Sequence, residues 1–194
     1  MDSERVKVKN IEVLSDNWYT LNKVTFDYLR NDGTWQTQIR ESYDRGNGAA
    51  VFMYNKTTKN VILIKQFRYP SYENGNKTGL LIEACAGLLD EDDPETCIKK
   101  EIFEETGYKI QSVEKVFEAY MTPGAVTEQI HYFIVEYTDD MKASAGGGLH
   151  TEQEDIEVLE MSFSEAVHLL NEGKIKDAKT MLLLQYAIIH KLLD

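Results

Sequence analysis

The chain opens on alternating apolar and polar positions. VKVKNIEVL, WYTLNKVTFDYL and TWQTQIRESYD each carry the period of two expected of half-buried strands, and Ser15-Asp16-Asn17 and Asn31-Asp32-Gly33 punctuate them as turns. The pattern predicts a small antiparallel β extension over residues 1–44, divided from a main domain of residues 45–194 near Asp44 to Gly48. Beyond that point the texture changes. AAVFMYN and NVILIKQF are nearly continuous apolar runs flanking a turn from Asn55 to Asn60, as strands covered on both faces would be. LLIEACA, SVEKVFEAY, QIHYFIVEY and IEVLEMSF read as further strands, and YENGNKTG (Tyr72 to Gly79) as a hairpin turn. Helices are predicted from about Pro94 to Thr106, from about Ser162 to Gly173 with Glu165 completing a capping-box pattern, and from about Asp177 to Leu193. Strands interrupted by helices fit an α/β sandwich, and periodicity alone carries no further.

The first of these helices carries the chemistry. Asp93 is an N-cap, Pro94 suits the first helical position, Glu95 favours the positive end of the dipole and Gly107 is a stop. With Ile98 at the origin of a wheel, Ile102 lies at about 40°, Glu105 at about −20°, Glu101 at about −60° and Glu104 at about −120°. Glu101 and Glu105 therefore border the apolar stripe. Carboxylates beside a buried seam are costly unless a cation meets them, and Mg²⁺ is the hard cation that clustered carboxylate oxygens take. The plainer alternative is an acidic surface helix partnered by Lys99 and Lys100.

Composition narrows the function classes. At 194 residues, with 42% hydrophobic and 28% charged positions, the chain is ordinarily globular. No apolar run is long enough to span a membrane, and MDSERVKVKN lacks an apolar leader core, so a cytoplasmic protein without membrane association is expected. Cys85 and Cys97 form no disulfide or zinc pattern and read as buried, reduced thiols. A net charge of −12 argues against nucleic acid as a partner. For a diphosphate substrate the same charge requires metal ions and a few placed cations. Arg40 and Arg68, both in strand-like contexts, are candidates; an exposed strand arginine is the alternative, an equal one for Arg40.

Two further segments carry open readings. SAGGGLHTEQED (Ser144 to Asp155) joins three glycines, which give mobility, to a run of carboxylates; it is either a solvated acidic loop or a functional one. Trp18 and Tyr19 follow a turn and serve either as core or as a stacking platform for a base. His131, His150, His168 and His190 show no metal-ligand spacing, with His150 of interest only because it lies in the glycine loop.

Ala86 to Tyr108, AGLLDEDDPETCIKKEIFEETGY, resembles the Nudix box, whose C-terminal half reads Arg-Glu-apolar-x-Glu-Glu-x-Gly-apolar. Glu101, Ile102, Glu104, Glu105, Gly107 and Tyr108 fall in register. Lys100 replaces the arginine, Asp92 stands where the first glutamate would fall, and Gly87 is one residue too close to the helix, leaving Ala86 in the glycine position. DRGNGAA, LIKQFRYP, LIEACAGLLD, YMTPG with Pro123, and AGGG extend the likeness over nearly the whole chain and are similar to the nucleoside-diphosphate-sugar branch of the family.

The resemblance implies a Nudix α/β/α sandwich with a mixed sheet, preceded by the β extension, which would join a homodimer. It implies Mg²⁺, with Mn²⁺ as a substitute, held by the Ala86 carbonyl, Glu101, Glu105 and Glu154, with Glu104 ligating or supporting. Glu154 would be the loop carboxylate acting as base or ligand, Glu152 being its alternative. Substrate contacts are implied at Trp18, Ile39, Arg40 and Glu41 in the extension, and at Arg68, Ala86, Gly87, Leu88 and Glu105 around the box. Further contacts are implied at Glu128, Gln153, Glu154 and Lys179. The expected reaction is hydrolysis of a nucleotide sugar, GDP-mannose giving GMP and mannose 1-phosphate. ADP-ribose hydrolysis and a non-cleaving nucleotide-sugar sensor are the alternatives.

Overall fold

The computed structural model describes residues 5–194. The first four residues, part of the predicted extension and of the leader reading, lie outside the described residues. By contact density the chain falls into two compact units: residues up to Asn47 together with Ala119–Ile130, and Gly48–Glu118 together with His131–Asp194.

The first unit is built on a three-stranded antiparallel sheet of β1 (Val6–Asp16), β2 (Thr20–Leu29) and β3 (Trp35–Asp44). A register shift between Val8 and Asn10 lets the apolar positions of β1 pass from even to odd numbers without changing face. Val6, Val8, Ile11 and Val13 thus stand opposite Tyr28, Phe26, Val24 and Asn22 of β2. All four β1 side chains are more than half exposed. In the same unit the Tyr43 N–H donates to the Ala125 carbonyl at 2.8 Å and the Thr127 N–H to the Tyr43 carbonyl at 3.0 Å, tying in the turn that holds Pro123.

The second unit holds all of a seven-stranded sheet but the end of β8 and the start of β9; the strand order is β10-β5-β4-β9-β8, with β6 paired to β5 and β7 to β4. Its strands are β4 (Gly48–Asn55), β5 (Asn60–Phe67), β6 (Leu80–Glu83), β7 (Ala86–Leu88), β8 (Glu114–Tyr120), β9 (Gln129–Glu136) and β10 (Glu157–Ser162). Every residue of β4 is buried, as a strand covered on both faces must be. Ala49, Val51 and Met53 join Cys97, Ile98 and Ile102 of the glutamate-bearing helix in one core. On the opposite face Phe52 meets Phe163, and the apolar helix α4 (Ala178–Ile189) packs on β4 and β6. The result is the expected sandwich, with α3 (Phe163–Asn171) capped by Ser162 and α4 by Asp177.

Two local expectations need correction and one gains detail. LLIEACA is split into β6 and β7, because Glu83 and the backbone of Ala84 turn to other partners. The Tyr72–Gly79 segment does lie in the turn between the antiparallel neighbours β5 and β6, a long one in which a one-turn helix, α1 (Tyr69–Glu73), precedes a loop that Asn76 closes by bonding the Leu80 carbonyl. The box helix α2 (Pro94–Glu101) is α-helical only to Glu101 and widens into a π-helical turn over Ile102–Thr106. There Thr106 donates its hydroxyl to the Ile102 carbonyl at 2.5 Å, and Gly107 ends the turn at φ 80°.

Candidate active site

β7 and α2 position the glutamates. β7 pairs with β4 through Ala86 and Ala50, and the turn after it closes with the Asp92 N–H on the Leu89 carbonyl at 2.7 Å. Asp93 then accepts from the backbone of Glu95 and Thr96 to start α2. Cys97, Ile98 and Ile102 bury one side of the helix, and Glu105 is drawn in with them to 1% exposure. Its Oε2 accepts the Ala86 N–H at 3.2 Å, and the Cys85 thiol bonds it as well. Glu101 is half-buried against Gly87, and Glu104 lies toward solvent at the rim.

The electrostatics follow from that packing. Burial, with the charge of Glu104, Glu154 and Glu152 added, pushes Glu101 up to about 7. Burial, with Glu101 and Glu154 added, pushes Glu105 up to about 8. Among the described residues neither carboxylate forms an ion pair; Lys99, offered by the plainer reading, is taken by Glu95 at 3.1 Å. A deeply buried acid held only by a neutral amide and a thiol is costly in its charged form unless a cation meets it. The donor set fits a hard divalent ion: carboxylates from Glu101 and Glu105 and the Ala86 carbonyl. No three His, Cys, Asp or Glu side chains converge on one point among the described residues.

The glycine loop is docked rather than loose. Gly147 donates to the Glu105 carbonyl at 2.9 Å and Gly148 to the Glu104 carbonyl at 3.1 Å, satisfying the end of the π-turn. A Cβ on Gly146, at φ 72°, would meet the Glu105 carbonyl oxygen at 2.4 Å, so these glycines serve close approach. Glu154 turns back within the loop, its Oε2 accepting the Leu149 N–H at 2.9 Å, while its charge still acts on Glu101 and Glu105. Gln153 precedes it in a left-handed conformation at φ 60°.

Arg68 and Lys179 meet on a residue that the pattern reading missed. Glu83 receives the Arg68 fork, Nε at 2.9 Å and Nη2 at 3.0 Å, and the Lys179 ammonium at 2.7 Å. A lone glutamate inside the apolar run LLIEACA was the available signal. In the first unit, Trp18 is 81% exposed and edge-on to Tyr19, Arg40 bonds its neighbours Ile39 and Gln38, and Glu41 lies opposite Lys23. Glu128 lies 3.4 Å from Arg45, whose guanidinium covers the Tyr19 ring. Leu88 accepts the Cys97 thiol at 3.1 Å through its carbonyl.

Residues 44–184 match the NUDIX domain. The chain belongs to the Nudix family. Residues 5–43 match a domain described as the GDP-mannose pyrophosphatase NudK N-terminal domain. Among curated Nudix relatives, the GDP-mannose pyrophosphatase of Yersinia enterocolitica is 55% identical over 190 residues, covering 97% of this chain and 98% of that protein. That of Pectobacterium atrosepticum is 52% identical over 187 residues, 96% of each. The crystal structure of an ADP compounds hydrolase superposes with a TM-score of 0.71 at 16% identity over 97% of this chain and 95% of its own, a likeness of fold. No described helix is long and apolar enough to cross a membrane.

Proposed function

We propose that this Nudix hydrolase cleaves the diphosphate of GDP-mannose to GMP and mannose 1-phosphate with Mg²⁺, Mn²⁺ serving as a substitute. The observation that carries the chemistry is the buried Glu105 and half-buried Glu101 beside Ala86 and Gly87, without a cation of their own. The observation that carries the substrate is full-length similarity to proteins of that name, including the extension. Glu101, Glu105 and the Ala86 carbonyl would hold the metal, with Glu104 in support and Glu154 joining from the loop. When bound, the ion supplies charge neutralisation and an acidified water.

The chain's own residues do the rest. Arg68 and Lys179 orient the diphosphate, and the backbone of Ala86 to Leu88 lines its approach. Glu154 takes the proton of the attacking water as the new P–O bond forms and the bridging oxygen leaves on the other phosphate. Trp18, with Ile39, Arg40 and Glu41, serves the nucleoside end, and Glu128 and Gln153 complete the contacts. The exposed apolar row of β1 supports a homodimer through the extension, since a row of that kind facing water marks an interface. Two free, buried thiols support a cytoplasmic setting.

Steady-state kinetics on GDP-mannose and ADP-ribose, each with Mg²⁺ and with chelator, test the reading. A kcat/KM for GDP-mannose at least about tenfold above that for ADP-ribose, lost on chelation, is expected. Preference for ADP-ribose overturns the substrate, and tight binding without cleavage overturns the enzyme.

A further inference from the structure

Glu83 ends β6, three residues before Ala86, and is 1% exposed. A buried carboxylate is stable only when fully partnered, and here the partners are two cations that share one oxygen: Arg68 Nη2 and Lys179 Nζ both donate to Oε2, while Arg68 Nε donates to Oε1. Lys179 also donates to Asp177 Oδ1 at 2.8 Å. Asp177 in turn accepts the Thr180 hydroxyl at 2.6 Å, and Thr180 Oγ1 accepts the Ala84 N–H at 2.6 Å. The start of α4, the end of β5 and the strand leading to Ala86 are thus joined through one carboxylate.

The network leaves donors unspent. Arg68 Nη1 has no partner among the described residues, and its side chain is 41% exposed although the acid it grips is not. The Lys179 ammonium has used two of its N–H bonds. Without the acid between them, two long cationic side chains would repel and sample many rotamers, and a substrate would have to order them on binding.

We propose that Glu83 is a positioning residue for the substrate's diphosphate, fixing the Arg68 fork and the Lys179 ammonium side by side with their remaining N–H groups free for phosphate oxygens. The proposal rests on the hydrolase reading for its substrate and on geometry for its residue. The purely structural alternative is a staple between β5, β6 and α4, which would affect unfolding alone.

The test compares wild type, Glu83→Gln, Arg68→Ala and the double variant. For Glu83→Gln the expected result is a KM for GDP-mannose raised at least about tenfold, kcat changed by less than about threefold and Mn²⁺ affinity unchanged. In the double variant the Glu83 effect shrinks without vanishing, since one of its two targets is gone and Lys179 remains. An unchanged KM in folded Glu83→Gln, or effects that simply multiply, overturns the proposal. Should Glu83→Gln fail to fold, Glu83→Asp, which keeps the charge and shortens its reach to both cations, is predicted to raise KM in the same direction, and an unchanged KM in it is equally decisive. Calorimetric binding of GDP-mannose in Ca²⁺ reads the positioning role without turnover, so failure of the hydrolase reading and failure of this one appear in different measurements.

Discussion

Gly87 lies so close to the Glu101 carboxylate that a Cβ on it would stand 2.0 Å from Oε1. Glycine is required there by contact, not by backbone angle. Because the neighbour is the far end of a flexible side chain, Gly87→Ala is predicted to fold while displacing Glu101. Turnover at limiting Mg²⁺ should fall at least about tenfold with less than about 1 kcal/mol lost in urea unfolding. A loss of stability with activity intact would contradict this contact's role.

The glutamate pair also predicts an unusual pH response. Glu101 and Glu105 have folded pKa values of about 7 and about 8, raised from an ordinary 4.5, so the metal-free fold holds their protons more tightly than the unfolded chain does. Their contribution to stability is therefore full below about pH 4.5 and is lost as pH rises through about 8. Between about pH 5 and about pH 8.5 the metal-free Tm should fall by several degrees, and Mg²⁺ should raise it more at the alkaline end. Differential scanning fluorimetry with chelator and with Mg²⁺ checks both; a Mg²⁺ gain independent of pH would count against the assignment.

Glu105→Gln follows from the same physics. Removing a charge held at 1% exposure should make the metal-free protein more stable at alkaline pH while lowering kcat by at least about a hundredfold. Full activity at limiting Mg²⁺ would refute the ligand role of Glu105, and the corresponding result would refute that of Glu101.

Gly146→Ala places a Cβ against the Glu105 carbonyl in a segment that already has φ 72°. The loop should undock, exposing residues 144–155 to proteolysis and lowering kcat by about tenfold or more as Glu154 loses its support. Limited proteolysis with kinetics on the same sample tests the coupling, and wild-type rates from an undocked loop would break it.

The extension carries its own prediction. Ile11→Glu puts a charge into the exposed apolar row of β1, and deletion of the residues before Asp44 removes the row altogether. Both should yield monomers by sedimentation with weakened GDP-mannose binding. A monomer with unchanged kcat/KM would separate dimerisation from catalysis.

Strand alternation revealed the β extension, and the wheel set Glu105 against the apolar seam where the structure buries it, because both signals are local. Glu105 reached its buried place even though the regular wheel stops at Glu101, since the π-turn still carries it inward. What pattern could not show depends on distant backbone. The three glycines suggested mobility, yet Gly147 and Gly148 bond the Glu105 and Glu104 carbonyls and Gly146 lies close against the first of these. Glu83 lay in plain view as one acid in an apolar strand, but its partners are Arg68 and, from α4, Lys179. The bulge at Val8 and Asn10, which keeps the β1 apolar row on one face, likewise appears only in the pairing.

The most direct test of metal-assisted hydrolysis at phosphorus is product analysis by mass spectrometry after turnover of GDP-mannose in water labelled with heavy oxygen. One label in the phosphate of GMP or of mannose 1-phosphate, with Mg²⁺ and not with chelator, is the predicted result. Label in free mannose with release of GDP, or equal cleavage without metal, would contradict it.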